Sequence, residues 1–238
     1  MLDFADIERV LVVTAHPDDV DFGAAGTVAQ LTDAGVEVVY CLVTDGQAGG
    51  FDHSIPRSEM AEIRRAEQTK AAAEVGVTRL EFLGHMDGEV VADLRLRRDI
   101  SAVIRQVRPQ VVITQNPMRS LDSTYGSHPD HIATGEATMC AVYPDARNPF
   151  AFPGTECAEL EDWAVDEVWV MMGPGAEDFV DITTQLDRKI RALRCHESQH
   201  PDPDAMETRV RAWWQELAAE RGRPAGTSAE VFRVVDTR

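Results

Sequence analysis

Positive charge is scarce in this sequence. Its 238 residues include 23 lysines and arginines against 41 aspartates and glutamates, which gives a formal net charge of -18. An acidic surface repels the phosphate backbone of nucleic acids and the headgroups of anionic lipids, so neither nucleic acid nor a membrane is expected as a partner. A neutral or cationic small molecule is therefore the more favourable substrate class.

Cysteine is also rare, and its four copies are widely separated. No two of them form a CxxC pair, and paired spacing is what a four-cysteine zinc site normally shows. An even number could form disulfides, but the acidic first residues lack the basic character of a secretory signal. We expect a cytoplasmic protein with reduced thiols, in which Cys41 in a strand and Cys140 in a helix are buried.

Long hydrophobic runs are missing as well, and no stretch approaches the roughly 20 apolar residues of a membrane-spanning helix. Short apolar runs instead alternate with helical stretches along the chain. This alternation is typical of a mostly parallel sheet with helices on both faces. Because 238 residues are enough for one such unit, we predict a single α/β domain over residues 1–238.

The apolar runs and the turn residues between them set the expected boundaries. The predicted strands are residues 10–14, 37–44, 79–83, 111–114, 167–171, 179–182 at a sheet edge, and 231–234. The predicted helices are residues 23–34, 58–75 with Ser58 as N-cap, 94–107, 129–142, 183–195 and 205–221. The irregular segment 143–166 is expected to form a lid or wall near the site. The tail beyond Gly222 is expected to cross the surface before its short strand.

The motif His16-Pro17-Asp18-Asp19 directly follows the first predicted strand. In an open parallel sheet, ligands bind at the carboxyl ends of the strands. His16 and Asp19 are three residues apart, so both side chains can converge on one ion, while Asp18 can lie beside it. On its own, this motif is nearly as compatible with a strand-end turn capped by an aspartate.

A second motif, His128-Pro129-Asp130-His131, offers the same chemistry after a later strand. Ser127 can cap a helix here, because Pro129 is tolerated within a first helical turn. His128 and His131 then face the same side of that helix. Since both motifs can reach one edge of the sheet, their combination favours a metal site over two structural turns.

Two histidines and one aspartate suit a zinc ion with a fourth position open to water. Zinc lowers the pKa of that water and polarises a carbonyl group. The ligands in this hypothesis are His16, Asp19 and His131. Asp18 is then left as the general base, His128 as a general acid or oxyanion stabiliser, and Asp130 as the carboxylate that orients a histidine.

The same ligand types also form the iron(II) triad of oxygenases. Those enzymes usually have a β-sandwich scaffold, whereas helical patterns run throughout this chain, so metal-dependent hydrolysis is the preferred interpretation. Iron(II) stays as an alternative to zinc in such a hydrolase, because both metals accept this ligand set.

Six short motifs are spread over nearly the whole chain. They are Ala15-His16-Pro17-Asp18-Asp19 with Gly23 and Gly26, Thr44-Asp45-Gly46, Arg64-Arg65-Ala66-Glu67, Leu83-Gly84-His85-Met86-Asp87-Gly88, His128-Pro129-Asp130-His131, and the late helix from Lys189 to Ser198-Gln199. Together they resemble the LmbE/PIG-L family of zinc-dependent deacetylases. The two histidine motifs are specific in combination.

The resemblance implies a Rossmann-like fold and hydrolysis of an N-acyl amide, with N-acetyl as the first choice, on an amino sugar or glycoconjugate. It also places the metal at His16, Asp19 and His131. Asp18 becomes the general base and His128 the polarising or acid residue. Cleavage of a thiol-conjugate amide is an alternative within the family. A non-catalytic, metal-stabilised module is another, although a structural metal site needs no spare base. A homo-oligomer is compatible with each alternative.

The resemblance further suggests that Arg64 and Asp87 contact sugar hydroxyls. From the residues alone, Arg64 could pair with Glu67 on a solvated helix face, and Asp87 could shape the turn before Gly88. Some family members carry a tyrosine two residues before the second histidine motif, whereas Tyr125 stands one residue further away. The remaining histidines are expected to be packing or surface residues: His53, His85, His196 and His200.

Overall fold

The computed structural model describes residues 1–121, 124, 127–172 and 175–238. Within these residues, seven strands form one sheet. They are β1 (Arg9–Thr14), β2 (Glu37–Thr44), β3 (Arg79–His85), β4 (Val111–Thr114), β5 (Glu167–Met171), β6 (Asp178–Asp181) and β7 (Ala229–Asp236). Their order across the sheet is β3-β2-β1-β4-β5-β7-β6. The first five strands are parallel, and β7 is antiparallel to both neighbours, which confirms the predicted mostly parallel α/β fold.

Helices cover both faces of this sheet. In the described residues they are α1 (Asp19–Gly23), α2 (Ala25–Asp33), α3 (Arg57–Glu74), α4 (Leu94–Val107), α5 (Pro129–Cys140), α6 (Leu186–Arg194) and α7 (Pro203–Glu220). Shorter helical turns at Phe4–Asp6, Ala141–Asp145, Glu156–Glu159 and Thr183–Gln185 join them. None of these helices is both long and apolar enough to span a bilayer.

The side chains of β1 divide the core into two layers. Val10 and Val12 pack with residues of α2, α3 and α6, whereas Leu11 and Val13 pack with residues of α4 and α5. Successive side chains of a strand point to opposite faces, so a central strand covered on both sides must be apolar throughout. This burial on both faces explains why the residues before His16 form a continuous apolar run.

Four predicted helix starts differ from the structure; α6 begins at Leu186 rather than 183, and α7 at Pro203 rather than 205. The region expected to be one helix over 23–34 consists of α1 and α2, because Ala24 leaves the helical conformation (φ -146°, ψ 4°). Helix α3 begins at Arg57 with Pro56 as N-cap, not at Ser58. The early start of α1 matters for the site, because it places Asp19 in a first helical turn directly after the His16 motif.

The carboxyl-terminal tail crosses the surface over residues 222–226, as expected, but its strand is longer than predicted. Ala229–Asp236 forms β7, which inserts between β5 and β6. Its Glu230 is fully buried and pairs with the equally buried Lys189 of α6 at 2.6 Å. The sequence predicts a strand only over residues 231–234, because Glu230 reads as an exposed charge until Lys189 is placed beside it. Strand β6 is at the sheet edge, as predicted.

The irregular segment 143–166 lies along the edge of the sheet formed by the amino-terminal strand ends, which is the wrong edge for a lid over the site. Trp163 Nε1 donates a hydrogen bond to Pro109 O at 2.7 Å, just before β4 begins, and the Trp163 ring contacts Arg9, the first residue of β1. Helix α5 starts at the carboxyl-terminal edge of the sheet and runs to the opposite edge, so the segment that follows it returns along the amino-terminal edge. The expected position near the site is therefore corrected.

The four cysteines are free thiols, as predicted. Cys41 is buried in β2, and burial raises the pKa of its thiol, which suppresses thiolate formation. Cys140, at the end of α5, is only partly buried rather than fully buried.

Candidate metal centre and active site

A sharp turn at the end of β1 builds the first half of the site. Asp18 has a left-handed backbone (φ 90°, ψ -27°) and serves as the N-cap of α1. This turn brings the Asp19 carboxylate back onto the strand end, where its Oδ2 accepts a hydrogen bond from the His16 amide at 2.7 Å. Left-handed backbone is uncommon for residues other than glycine, so the surrounding contacts must hold Asp18 in place.

The second histidine motif arrives from the neighbouring strand, because β4 pairs with β1. Helix α5 begins at Pro129, and the N-cap is His128, whose Nδ1 accepts a hydrogen bond from the Asp130 amide at 3.2 Å. The expected cap, Ser127, instead binds Ser120 through its hydroxyl group. The structure thus brings both motifs to one edge of the sheet, as their positions after strands predicted.

Donor atoms of three side chains converge between these motifs. His16 Nδ1 lies 3.2 Å from His131 Nε2 and 3.3 Å from Asp19 Oδ2. His131 Nε2 lies 3.0 Å from Asp19 Oδ1. Ligand atoms at zinc distances of about 2.0 Å in a tetrahedron are themselves about 3.3 Å apart, so this donor set fits a zinc ion.

Two carboxylates fix the orientation of the His16 ring. Its Nε2 lies 3.1 Å from Asp87 Oδ1 and 3.2 Å from Asp130 Oδ2. Because a carboxylate only accepts hydrogen bonds, the Nε2 position carries the proton and Nδ1 is free to bind a metal. Asp130 Oδ2 also accepts from the Gly88 amide, whereas Asp87 accepts from the Ala48 amide with its other oxygen, Oδ2.

The charges around His16 strongly favour its cationic form when no metal is present. Burial alone lowers the pKa of His16, but Asp19, Asp130 and Asp87 outweigh it and raise the value to about 12. A metal ligand must be a neutral imidazole, so metal binding at this site displaces a proton. Asp19 shows the reverse effect: burial raises its pKa, but His131 and His16 hold it well below its usual value.

The two adjacent aspartates of the turn lie in different surroundings. Asp18 does not share the imidazole contacts of Asp19; its Oδ2 accepts from Arg64 Nη2 at 3.1 Å. Burial raises the pKa of Asp18 despite the nearby guanidinium. Two neighbouring carboxylates whose pKa values move apart are typical of a pair with separate tasks.

His128 packs its ring against both other site histidines. The ring centroids lie 4.9 Å from His16 and 5.1 Å from His131. Since its Nδ1 accepts from a backbone amide, a neutral His128 carries its proton on Nε2. Burial, together with the like charges of His16 and His131, lowers its pKa.

Arg64 is buried, not on a solvated helix face. Its side chain donates to Gly46 O at 2.9 Å and to Pro17 O, in addition to Asp18. The proposed partner Glu67 accepts from Ser198 instead. A Cβ atom at Gly46 would collide with the guanidinium, which explains the glycine-rich loop after β2: it leaves room for this arginine.

Other polar residues behind the turn were not recognised from the sequence. Gln68, Asp21 and His196 form a fully buried hydrogen-bonded group next to Asp18. The one available signal was the spacing of Arg64 and Gln68, four residues apart on α3 and hence on one helix face. Tyr125, which the sequence comparison with the family singled out, lies outside the described residues.

Comparison with known proteins identifies relatives of this chain. The family model PIG-L, described as GlcNAc-PI de-N-acetylase, matches residues 11–142. Diacetylchitobiose deacetylase of Thermococcus kodakarensis is 35% identical over 84% of this chain and 73% of its own length. A probable N-acetyl-alpha-D-glucosaminyl L-malate deacetylase 2 of Bacillus cereus is 34% identical over 80% of this chain and 83% of its own length.

A solved structure extends the likeness to three dimensions. N,N'-diacetylchitobiose deacetylase from Pyrococcus horikoshii superposes with a TM-score of 0.89 at 30% identity. The alignment covers 98% of this chain and 86% of that protein. The similarity therefore includes the whole sheet and both histidine motifs, not a shared fragment.

Proposed function

This chain belongs to the PIG-L family, and on that premise we propose that it hydrolyses the N-acetyl amide of an amino sugar or glycoconjugate, with a divalent metal held by His16, Asp19 and His131. One observation carries the proposal. Donor atoms of three side chains converge within 3.0–3.3 Å, while the neighbouring carboxylate of Asp18 stays outside that set. A structural metal site would need no such spare base, which disfavours a non-catalytic module.

Zinc is the proposed metal, with iron(II) as the alternative. A bound zinc ion would supply Lewis-acid activation of the amide carbonyl and of the attacking water. The chain's own residues supply the rest of the chemistry, and their protonation states follow from the contacts described above.

Asp18 acts as the general base that takes a proton from the attacking water. Its carboxylate is not needed as a metal ligand, because Asp19 makes the contacts to the imidazoles of His16 and His131. His128, with its proton on Nε2, donates a hydrogen bond to the carbonyl oxygen as it gains charge, or a proton to the leaving amine. The amide C–N bond breaks, and acetate and a free amino sugar are the products.

Asp130 and Asp87 orient His16, and Arg64 orients Asp18. The resemblance to the family suggested instead that Arg64 and Asp87 contact sugar hydroxyls. Both side chains already have partners within the protein: Arg64 binds Pro17, Gly46 and Asp18, and Asp87 binds Ala48 and His16. We assign them to holding the site, since sugar binding would have to compete with these bonds.

The relatives act, by name, on N-acetylated amino sugars: diacetylchitobiose and an N-acetylglucosaminyl malate. Of these two, diacetylchitobiose is uncharged and agrees with the strongly acidic composition of the chain, whereas the malate glycoside carries carboxylates. The four free cysteines agree with a reducing compartment such as the cytoplasm. Cleavage of a thiol-conjugate amide remains the second candidate reaction within the family.

The test is a substrate screen with the zinc-loaded protein. N,N'-diacetylchitobiose, N-acetylglucosamine and its malate and inositol glycosides are incubated alongside acylated thiol conjugates, and released acetate and amine are both quantified. We expect stoichiometric acetate and amine from at least one acetylated sugar, with loss of turnover after chelation. Amine release from thiol conjugates alone would overturn the sugar assignment in favour of the amidase.

A further inference from the structure

A group of buried side chains connects the end of α6 to the turn that carries Asp18. It consists of Gln68, Asp21 and His196, each of which is 0% exposed. Gln68 Nε2 and His196 Nε2 both lie 2.9 Å from Asp21 Oδ2. At the other end, Gln68 Oε1 accepts a hydrogen bond from the Asp18 amide at 2.8 Å. We call these three residues the base-holding group.

The hydrogen bonds of this group can run in only one direction. The Asp18 amide can only donate, so the Gln68 oxygen must face it and the Gln68 NH₂ must face Asp21. The Asp21 carboxylate can only accept, so His196 carries a proton on Nε2. Each orientation determines the next, and the group therefore acts as one unit rather than as three independent contacts.

Asp18 depends on this unit because of its backbone conformation. A left-handed residue other than glycine persists only where its neighbours fix it. The Asp18 carbonyl is fixed by the amides of Asp21 and Phe22, at 2.9 and 3.0 Å. The amide of Asp18 itself donates to Gln68, and Arg64 binds the Asp18 carboxylate.

We propose that Gln68, Asp21 and His196 are positioning residues for the general base: they hold the left-handed backbone of Asp18, so that its carboxylate faces the reaction and stays out of the metal ligand set. The inference rests on the proposed function, because it assumes that Asp18 is the base. None of the three residues touches the converging donor atoms of His16, Asp19 and His131 in the contacts described here.

The late part of the chain thereby gains a role in catalysis. His196 follows α6, and the same segment binds α3 directly through Ser198, whose amide and hydroxyl both donate to Glu67 at 2.7 Å. Lys189 of α6 in turn donates to Phe22 O at 2.6 Å, in α1. Helix α6 is thus attached both to the helix that Asp18 caps and to the helix that carries Gln68.

Substitution of Gln68 tests the proposal, with acetate release from the substrate found in the screen as the assay. Gln68→Met keeps the length of the side chain and removes both hydrogen bonds. We expect kcat to fall by about 100-fold, KM to stay within about twofold, and zinc content to be unchanged. Gln106→Met, the same change at an exposed position of α4, is the matched control.

A double-mutant comparison separates positioning from general damage. If Gln68 acts through Asp18, Gln68→Met should cause no further loss in an Asp18→Asn background. The proposal would be overturned if Gln68→Met lowered kcat as much in the Asp18→Asn background as it does alone. It would also be overturned if Gln68→Met alone left kcat unchanged. Should Gln68→Met not fold, Gln68→Asn, which is too short to reach the amide, takes its place with the same expectations.

Hydrogen exchange gives a readout that needs no substrate. The Asp18 amide should exchange slowly in the unsubstituted protein and clearly faster in Gln68→Met, while the amides of β1 keep their protection. Unchanged exchange at Asp18 contradicts the positioning role even if the enzyme is a deacetylase. Conversely, a protein without deacetylase activity refutes the proposed function, and the exchange experiment still decides whether Gln68 holds the turn.

Discussion

The two edges of the sheet each contain a buried arginine that binds backbone carbonyl groups, and the two arginines do different work. At the amino-terminal edge, Arg105 is 2% exposed and donates to carbonyl oxygens of segment 143–166, including those of Ala146, Cys157 and Asn148. At the carboxyl-terminal edge, Arg64 is 4% exposed and binds two carbonyls as well as the carboxylate of Asp18.

The difference shows how to separate a structural arginine from one that supports a site. Arg105 satisfies acceptors of an irregular loop that would otherwise be buried without partners. Arg64 does the same for a strained turn, but it also holds a titratable group next to the converging atoms of the proposed metal ligands. Burial alone does not distinguish the two, whereas the partner of the guanidinium does. The following substitutions are ordered from the largest expected effect to the smallest.

His131→Ala should have the largest effect at the carboxyl-terminal edge. It removes one of three donor atoms, and a site left with two protein ligands binds metal far more weakly. We expect zinc content to fall from about one ion per chain to near zero and turnover to be lost with it. Elemental analysis after dialysis measures this directly. Full zinc occupancy in the variant would refute the ligand set.

Arg64→Met should reduce turnover while leaving metal in place. Loss of the guanidinium frees the Asp18 carboxylate and leaves the Pro17 and Gly46 carbonyls without their donor. We expect kcat to fall by about 100-fold, as for a base displaced by about 1 Å, with zinc content unchanged. Steady-state kinetics on the metal-replete protein is the measurement. A raised KM with an intact kcat would instead support the sugar-binding role.

Arg105→Met is the matched change at the other edge, and its expected effect is on stability. Several buried carbonyl groups lose a donor, so the free energy of unfolding should drop by about 3 kcal/mol or more. The turnover of the remaining folded protein should be unchanged, because segment 143–166 lies away from the site. Urea denaturation and kcat at a temperature below the transition check both parts; a fall in kcat at full folding would contradict the separation of the edges.

Trp163→Phe should have the smallest effect. It removes one hydrogen bond to Pro109 O from a partly buried residue and should cost about 1 kcal/mol of stability. Neither kcat nor KM for the sugar should change. A rise in KM would mean that segment 143–166 reaches the substrate after all, as the sequence had suggested for a lid.

Much of the fold could be predicted from the sequence, because the signals were local. Strands β2, β4 and β5 and helix α4 have the predicted bounds, since their apolar runs end at clear turn residues. The convergence of His16 and His131 could also be predicted, because both follow parallel strands and such strands end at one edge.

What could not be predicted depends on distant contacts. The strand over residues 231–234 is predicted, but its place between β5 and β6 is not, and the burial of Glu230 becomes understandable only with Lys189 beside it. The direction of segment 143–166 follows from where α5 ends, not from its own composition. His196 looked like an ordinary packing histidine because its partner Asp21 lies near the other end of the chain.

The central claim is that Asp18 and Asp19, adjacent in one turn, have separate tasks. It is tested most directly by measuring bound zinc and acetate release side by side in Asp18→Asn and Asp19→Asn. We predict that Asp18→Asn keeps about one zinc per chain and loses about 1,000-fold in kcat, whereas Asp19→Asn loses the zinc itself. Zinc loss in Asp18→Asn, or full zinc content in Asp19→Asn, would contradict this division of tasks.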